Sequence, residues 1–473
     1  MITRRDALKL SSSALLLPLG TAFVTSPAGA NAASSANYPV GQGNPGRTGE
    51  MPGPAPRLDE PIIVRWKFAA YGDSTAVNFD YWTNPVIANG VVYAGGRDDL
   101  LYALDTNTGD ERWHFVIEGN VRDAPAVHNN SVYVTTWGPN VYAIDASSGA
   151  ERWRYFIGGM STWGAVADDN SVYFSDGTYI RAVRADSGEE QWLFRTEGVA
   201  SGPALDNGTL YISSIAGVHA VDATSGDELW SHPAGSAFIL PAAISDGVVY
   251  AGDFDHQLHA LDAESGAEIW RFAPAPPSDS TGYNQHLSIR SVVDGTVLAN
   301  GDGVLYAVDS QTGQERWRIT TDTMITPTSV VVDGLALIAD EYLYVVDVLS
   351  GQEVWRDPRY FGDGMLRMLP TPVIMDGVAY IGYGDHFYAL GNLPGAVIIA
   401  DTVVRGAPSI TGLERGIVSA GAEIDSMGAR NASAGQEWVE VTIGDLIGWI
   451  PLEAIDPATL APEGDVEYVY IPE

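Results

Sequence analysis

The sequence predicts an all-β chain: an eight-bladed β-propeller of four-stranded blades, closed by an N-terminal strand and followed by a small module of different texture. Three observations lead there. First, the pattern Ala-x-Asp-x-x-[Ser/Thr]-Gly-x-x-x-Trp, first met at Ala103 to Trp113, returns at Ala143–Trp153, Ala220–Trp230, Ala260–Trp270 and Ala307–Trp317. Degenerate copies stand at Ala182–Trp192, with Arg184 in the Asp place, and at Val345–Trp355. A unit of about 40 residues repeated in this way marks a repeat architecture. Second, each unit carries a two-residue turn between apolar runs: Asn89-Gly90, Asn129-Asn130, Asp169-Asn170, Asn207-Gly208, Asp246-Gly247, Asp294-Gly295, Asp333-Gly334 and Asp376-Gly377. Asn-Gly and Asp-Gly favour type I′ hairpins, whose two central residues both need positive φ. Third, the last unit stops at Gly391 without its Trp strand, while Ile63 to Phe68 supplies a spare one containing Trp66.

Taken in order, residues 1–32 read as an export signal. Arg4-Arg5 precede an apolar run from Leu10 to Val24, and Ala28-Gly29-Ala30 or Ala30-Asn31-Ala32 offers a small-residue cleavage site. Thr3-Arg4-Arg5-Asp6-Ala7-Leu8-Lys9 resembles a twin-arginine (Tat) signal. Residues 33–60 are rich in Gly, Pro, Ser and Asn and read as a linker. Residues 61–393 hold the propeller. In each repeat the Asp and Ser/Thr side chains can cap a tight turn, the Gly (Gly109, Gly149, Gly188, Gly226, Gly266, Gly313, Gly351) supplies a left-handed backbone, and the Trp reaches the neighbouring blade. Trp66, Trp113, Trp153, Trp192, Trp230, Trp270, Trp317 and Trp355 are therefore expected to dock blade on blade, with Trp66 closing the ring. Closed radial repetition of four-stranded sheets leaves no open seam.

Composition narrows the function classes. The formal charge of −35 comes from 60 acidic against 25 basic residues, of which only Lys9 and Lys67 are lysine. Without a basic stripe, nucleic acid and anionic membrane surfaces are poor partners. With no cysteine in the chain, disulfides, thiolate catalysis and cysteine-held metals are excluded. Beyond the signal, no apolar run is long enough to span a bilayer.

Eight blades with these docking turns resemble the pyrroloquinoline-quinone (PQQ)-like propeller superfamily, which holds quinoprotein alcohol and sugar dehydrogenases and BamB-like outer-membrane assembly scaffolds. Residues 396–457, with Arg405-Gly406-Ala407-Pro408-Ser409, Trp438-Val439-Glu440-Val441 and Gly448-Trp449-Ile450, resemble a bacterial SH3-like (SH3b) domain, a small barrel with Trp438 and Trp449 as core and rim. Residues 458–473 read as an acidic tail.

The resemblance implies two functions of different class. One is an exported non-enzymatic protein-binding or assembly scaffold, located in the periplasm, at the cell surface or outside, with an envelope or cell-wall protein or peptide as partner. On this reading no cofactor is needed and the SH3-like module serves for attachment, with cell-wall glycan as a further target. The other is a PQQ-like oxidoreductase, or another small-ligand enzyme, using the channel face with PQQ and calcium. Many alcohol-oxidising members of that superfamily carry a Cys-Cys disulfide and long inter-blade insertions. This chain has neither, and its Trp-to-Trp spacing stays between 38 and 47 residues. The scaffold is therefore preferred, with no catalytic residue assigned. No metal site is assigned either: on a strand, His256 and His259, three apart, point to opposite faces.

One asymmetry selects candidate binding residues. Five connections from a blade's Trp to the next hairpin take 19 or 20 residues, but those entering blades 1, 6 and 8 take 27, 28 and 25. All lie on one face. Extra loop length there is either neutral variation or the place where a binding site is built. The residues brought in are Tyr71, Asp73, Asp80, Tyr81 and Trp82, then Tyr283, Asn284, Gln285 and His286, then Arg359, Tyr360 and Arg367; shorter loops add Arg122, Asp123 and Trp163.

Overall fold

The computed structural model describes residues 44, 47, 49–51, 54–55, 63–71, 82–96, 98–121, 123–158, 163–233, 235–238, 240–274, 287–301, 303–320, 328–339, 343–356, 371–383, 386–391, 402–405, 414–418, 426–433, 436–443 and 446–454. The segments read as an export signal, 1–32, and an acidic tail, 458–473, lie outside them.

Eight antiparallel sheets form a propeller ring. Blade 1 sets the pattern, with strands Val86–Ala88, Val91–Gly95, Leu100–Asp105 and Glu111–Val116 in sheet order from the axis outward. In blade 8 the chain supplies Val373–Met375, Val378–Tyr383 and His386–Gly391, and the N-terminal strand Ile63–Ala69 pairs with the third as the outermost member. The middle strands are buried on both faces, so Val91 to Gly95 is continuously apolar, whereas Glu111 to Val116 alternates because one side faces water. The apolar clusters straddle the seams. Val86, Tyr93, Leu101 and Trp113 of blade 1, for example, pack with Val127, Val134, Tyr142 and Ile144 of blade 2.

Seven of the eight hairpin turns have positive φ at the first central residue, between 45° and 51°. The turn at Asp169-Asn170 differs from the expectation, since neither residue has positive φ. There the Asp168 carboxylate accepts the N–H groups of Asn170 and Ser171 and holds an alternative turn.

The repeated motif forms the interblade dock. Trp66, Trp113, Trp153, Trp192, Trp230, Trp270 and Trp317 each donate Nε1–H to the carbonyl of Thr106, Ala146, Ala185, Ala223, Ala263, Ser310 and Val348 of the following blade, at 2.8–3.1 Å. The indole lies flat on that blade's motif glycine, where a Cβ would come within 2.5–2.8 Å of the ring. Trp66, on the strand lent to blade 8, makes the same contact with Gly109 of blade 1. The stretch after Gly391, which would receive Trp355, lies outside the described residues. Inside the turn the motif Asp accepts backbone N–H groups two and three residues on, as Asp145 does from Ser147 and Ser148.

These hairpins and docks also orient the ring. Each innermost strand runs from the face where a new blade is entered to the face of the hairpin and motif turns. The docks therefore gather on the turn face, and the variable connections on the entry face.

Within the segment read as a linker, the described residues between 44 and 55 contact the ring. Glu50–Met51 adds a parallel strand to the innermost strand of blade 7, opposite Val331 and Val332. Before it, Arg47 bonds to carbonyls just ahead of the innermost strands of blades 3 and 4; after it, Pro54 O accepts the N–H of Gly377 in the blade 8 hairpin turn. The segment thus passes through the bore from entry face to turn face and continues into the outermost strand of blade 8. Gly49 lies at φ +70° with Arg290 O only 2.1 Å from where a Cβ would stand, so only glycine passes here.

The C-terminal part is a separate five-stranded antiparallel sheet of Thr402–Arg405, Glu414–Val418, Ser426–Ser433, Gln436–Ile443 and Leu446–Pro451, followed by a 3-10 turn at Leu452–Ala454. Trp438 is buried in it, and Trp449 is partly exposed.

Two predictions follow from the docks. Gly149 and Gly247 have similar φ values of +72° and +74°, but a Cβ meets the Trp113 ring at 2.8 Å in the first case and nothing within 4 Å in the second. Gly247→Ala is expected to cost the left-handed penalty of about 1–2 kcal/mol. Gly149→Ala is expected to cost at least about 1 kcal/mol more, for the displaced indole; urea unfolding of the two variants compares them. The second concerns acid. Hydrogen bonds from Arg152 and Ser148 lower Asp145 from its ordinary 3.8 to about 2, and those from Arg316 and Thr312 do the same for Asp309. A depressed carboxylate stabilises the fold fully above its unfolded value and loses that contribution as pH falls through the folded value. Melting temperature is therefore expected to drop between about pH 4 and pH 2, less steeply in Asp145→Asn and Asp309→Asn.

Candidate functional site

Of the residues selected from the loops, Asp73, Asp80, Tyr81, Arg122, Tyr283, Asn284, Gln285, His286, Arg359, Tyr360 and Arg367 lie outside the described residues. Tyr71, Trp82, Asp123 and Trp163 are described, and they fall in two places on the entry face.

Tyr71 and Trp82 belong to the seam between blades 8 and 1. Trp82 departs from its expected role: it is 5 % exposed, bridges to Gly96, and sits 5.2 Å from Phe387 and 5.5 Å from Tyr102 between ring centroids. Gly382 leaves room for it, since a Cβ there would lie 2.3 Å away. The ring is interblade core, because an aromatic side chain that can be covered by two blades gains more by burial than by display. Tyr71 is 64 % exposed, with its edge against His114 at 5.4 Å and its N–H bonded to Tyr102 Oη. A hydrogen bond to Glu111 holds its hydroxyl above the ordinary tyrosine value.

Asp123 and Trp163 stand where the chain enters blades 2 and 3, and the structure adds Arg47 to them. Arg47 is 5 % exposed; its Nε donates to Pro203 O (3.0 Å) and its Nη2 to Gly164 O (3.2 Å). Asp123 accepts the N–H of Gly164 and of Ala124, and its charge faces the Arg47 guanidinium. Burial pulls Arg47 below its ordinary value, and Asp123 partly opposes the shift. Gly202 provides the floor, with Trp163 Cβ and Arg47 Nη2 each 3.0 Å from a built Cβ. A second arginine, Arg290, sits at a β-bulge on the innermost strand of blade 6 and donates Nε–H to Asn300 Oδ1 at 2.7 Å. Among the described residues this is the only register shift between the first and second strands of a blade, and bulges re-aim side chains. Desolvation lowers Arg290 to about 10, so it stays protonated at neutral pH. Sequence reasoning missed both arginines. Their only signals were a basic residue in a Gly/Pro segment and one in an otherwise apolar inner strand.

The histidines of blade 5 separate because only His259 lies on a strand, Leu258–Asp262, while His256 lies in the turn before it. His256 lies in a turn at φ +60° and faces Tyr306 Oη of blade 6 at 3.3 Å. His259 is buried, with Nε2 3.1 Å from Asp253 and Nδ1 3.1 Å from Glu268. His232 of blade 4 lies beside it, held below its ordinary value by burial and then by His259.

This geometry defines a PQQ-like eight-bladed propeller whose bore is strapped by its own N-terminal segment. The family model described as outer membrane protein assembly factor BamB matches residues 64–173, 176–330 and 259–444, and the chain belongs to that family. No curated protein matches. Among solved structures the chain is similar to the computationally designed Ika8 protein, at 16 % identity and TM-score 0.56 over 68 % of this chain and 98 % of that one. It is also similar to the quinohemoprotein alcohol dehydrogenase ADHIIG of Pseudomonas putida HK5, at 15 % and 0.58 over 80 % and 84 %. BamB from Moraxella catarrhalis aligns at 19 % identity and TM-score 0.46 over 65 % and 94 %. The likeness to the first two is one of fold. Among the described residues no helix is long and apolar enough to cross a membrane.

Arg47→Ala would leave the Gly164 and Pro203 carbonyls without a donor in a buried place. It is expected to destabilise the protein by about 1–3 kcal/mol per orphaned group, read by urea unfolding, and to open residues 44–55 to limited proteolysis.

Proposed function

We propose that this chain is an exported, non-catalytic protein-binding or assembly scaffold that meets its partner on the entry face. The observation that carries this reading is the strap. The bore that would otherwise admit a ligand holds Arg47, Gly49, Glu50 and Met51 of the chain itself, with Arg47 bonded to the Gly164 and Pro203 carbonyls and Met51 buried against blade 8. Recognition then falls to the entry face, with Trp163 at the mouth of the bore and Tyr71 near the outermost strands of blades 8 and 1, where the connections depart from the repeat length. The BamB family supports the same reading, whereas a Tat-type signal, which exports folded proteins, would slightly favour a preloaded cofactor. The C-terminal sheet, read as an SH3-like module, would attach the ring to an envelope protein or to cell-wall glycan.

The alternative is a PQQ-like oxidoreductase or another small-ligand enzyme. Arg290 favours it as a protonated group on the innermost strand, where an anionic ligand could meet it. The described bore residues do not fit a flat quinone well, because the strap takes the space such a ring would enter.

Capture from envelope extracts tests the scaffold. The full chain is expected to retain a partner that Tyr71→Ala/Trp163→Ala loses while keeping its melting temperature, and a form ending at Gly395 reports what the module adds. An unchanged partner set in the double variant would remove the entry face from the reading. Dye-linked alcohol or sugar oxidation after addition of quinone and Ca²⁺ would replace the scaffold by the enzyme.

A further inference from the structure

The seam between blades 4 and 5 holds a cluster that blade docking does not use. His232 lies near the end of the outermost strand of blade 4, Glu228–Pro233; His259 is the second residue of the third strand of blade 5, Leu258–Asp262; Glu268 opens that blade's outermost strand, Glu268–Phe272. One nitrogen of each histidine and one carboxylate oxygen lie within 4.8 Å of one another.

Comparison between blades shows what is special here. The residue two after the Trp is Phe68, Phe115, Tyr155, Phe194, Phe272 and Ile319 in blades 8, 1, 2, 3, 5 and 6, and histidine only in blade 4. The third-strand residue it faces in blade 5, His259, occupies the position of Arg181 in blade 3. Arg181 bridges two carboxylates there, Asp176 at 2.6 Å and Glu190 at 2.9 Å. Asp253 and Glu268 repeat those two carboxylates in blade 5. Blade 3 therefore fills this slot with a permanent cation, and blade 5 fills it with an imidazole and brings a second imidazole beside it. In blade 4 the corresponding His219 meets Glu228 at 2.8 Å, Ser214 in place of the aspartate and Phe194 in place of the second histidine.

The surroundings hold the groups in place. Asp253 is buried with its Oδ1 taken by the N–H groups of Asp255 and Gln257, and its Oδ2 faces His259 Nε2. That contact turns the other ring nitrogen, Nδ1, toward Glu268 and His232. Phe238 packs edge-on against the ring at 4.9 Å, and Arg271 grips Glu268 Oε2 at 2.7 Å. A carboxylate behind a histidine, fixing which nitrogen points outward, is the outer arrangement of metal-bound histidines.

We infer that His232, His259 and Glu268 bind one divalent transition cation of the Zn²⁺ type across the seam of blades 4 and 5, with Asp253 orienting His259. Two imidazoles and one carboxylate suit a borderline-soft ion better than Ca²⁺ or Mg²⁺, which seek all-oxygen shells. Glu268 is exposed, so three protein ligands leave a position for water. The ion sits between His259 Nδ1, His232 and Glu268 and ties the two blades together, away from the Trp docks.

The full chain, stripped with chelator, is titrated with Co²⁺ followed by absorption and with Zn²⁺ followed by melting temperature. One equivalent is expected to bind, with a Co²⁺ ligand-field spectrum and a raised melting temperature. His232→Phe, which restores the residue found at this position in blade 3, is expected to keep the metal-free melting temperature, weaken binding at least about tenfold and lose the spectrum. A parent that binds no Zn²⁺ overturns the site. So does a His232→Phe variant that binds as the parent does, because the ion is then held by the acidic surface.

Discussion

The indole of one blade lying on the glycine of the next is the contact on which this structure depends. A four-stranded blade cannot bury its own faces, so it is stable only when pressed between neighbours. The dock combines one buried Trp–carbonyl hydrogen bond with a ring-on-backbone contact that requires a glycine in the left-handed region. Seven repetitions around the described ring set its geometry. Trp66, carried on a strand from the other end of the chain, makes closure part of the same chemistry.

Placing all docks on the turn face frees the other face. The connections that enter each blade carry none of these Trp–Gly docks, so they can change in length; the one entering blade 1 instead lends Trp82 to the seam of blades 8 and 1. The departures from repeat symmetry collect there: the long loops, the exposed Tyr71, the Arg47 cradle over Asp123 and Trp163, and the paired histidines of blades 4 and 5. The strap joins the two faces. It fills the bore with a peptide that has little apolar pattern of its own, held by arginine–carbonyl bonds, two residues of parallel pairing and the buried Met51.

Much of the fold was legible because its signals are local. The Asn-Gly and Asp-Gly turns, the Asp-x-x-[Ser/Thr]-Gly turn and the Trp four residues on all act within a dozen residues, and their spacing counts the blades. The hairpin at Asp169-Asn170, a variant copy, forms with a different turn because a neighbouring side chain, Asp168, offers the backbone another arrangement. Trp82 was misread for a longer-range reason. An aromatic residue in a long loop looks available until the two blades that cover it are in place.

The sequence by itself determined the ring, its number of blades and the strand that closes it, since each follows from a motif whose parts touch one another or the next copy. It also marked the face where symmetry breaks, through loop length alone. Only the tertiary structure decided that Glu50 and Met51 line the bore against blades 7 and 8, that Arg47 reaches blades 3 and 4 from a Gly/Pro segment, and that His232 meets His259. Those contacts join residues 27 to 323 positions apart. No local periodicity encodes such a meeting; it exists only once closure of the ring fixes which distant segments share the axis or a seam.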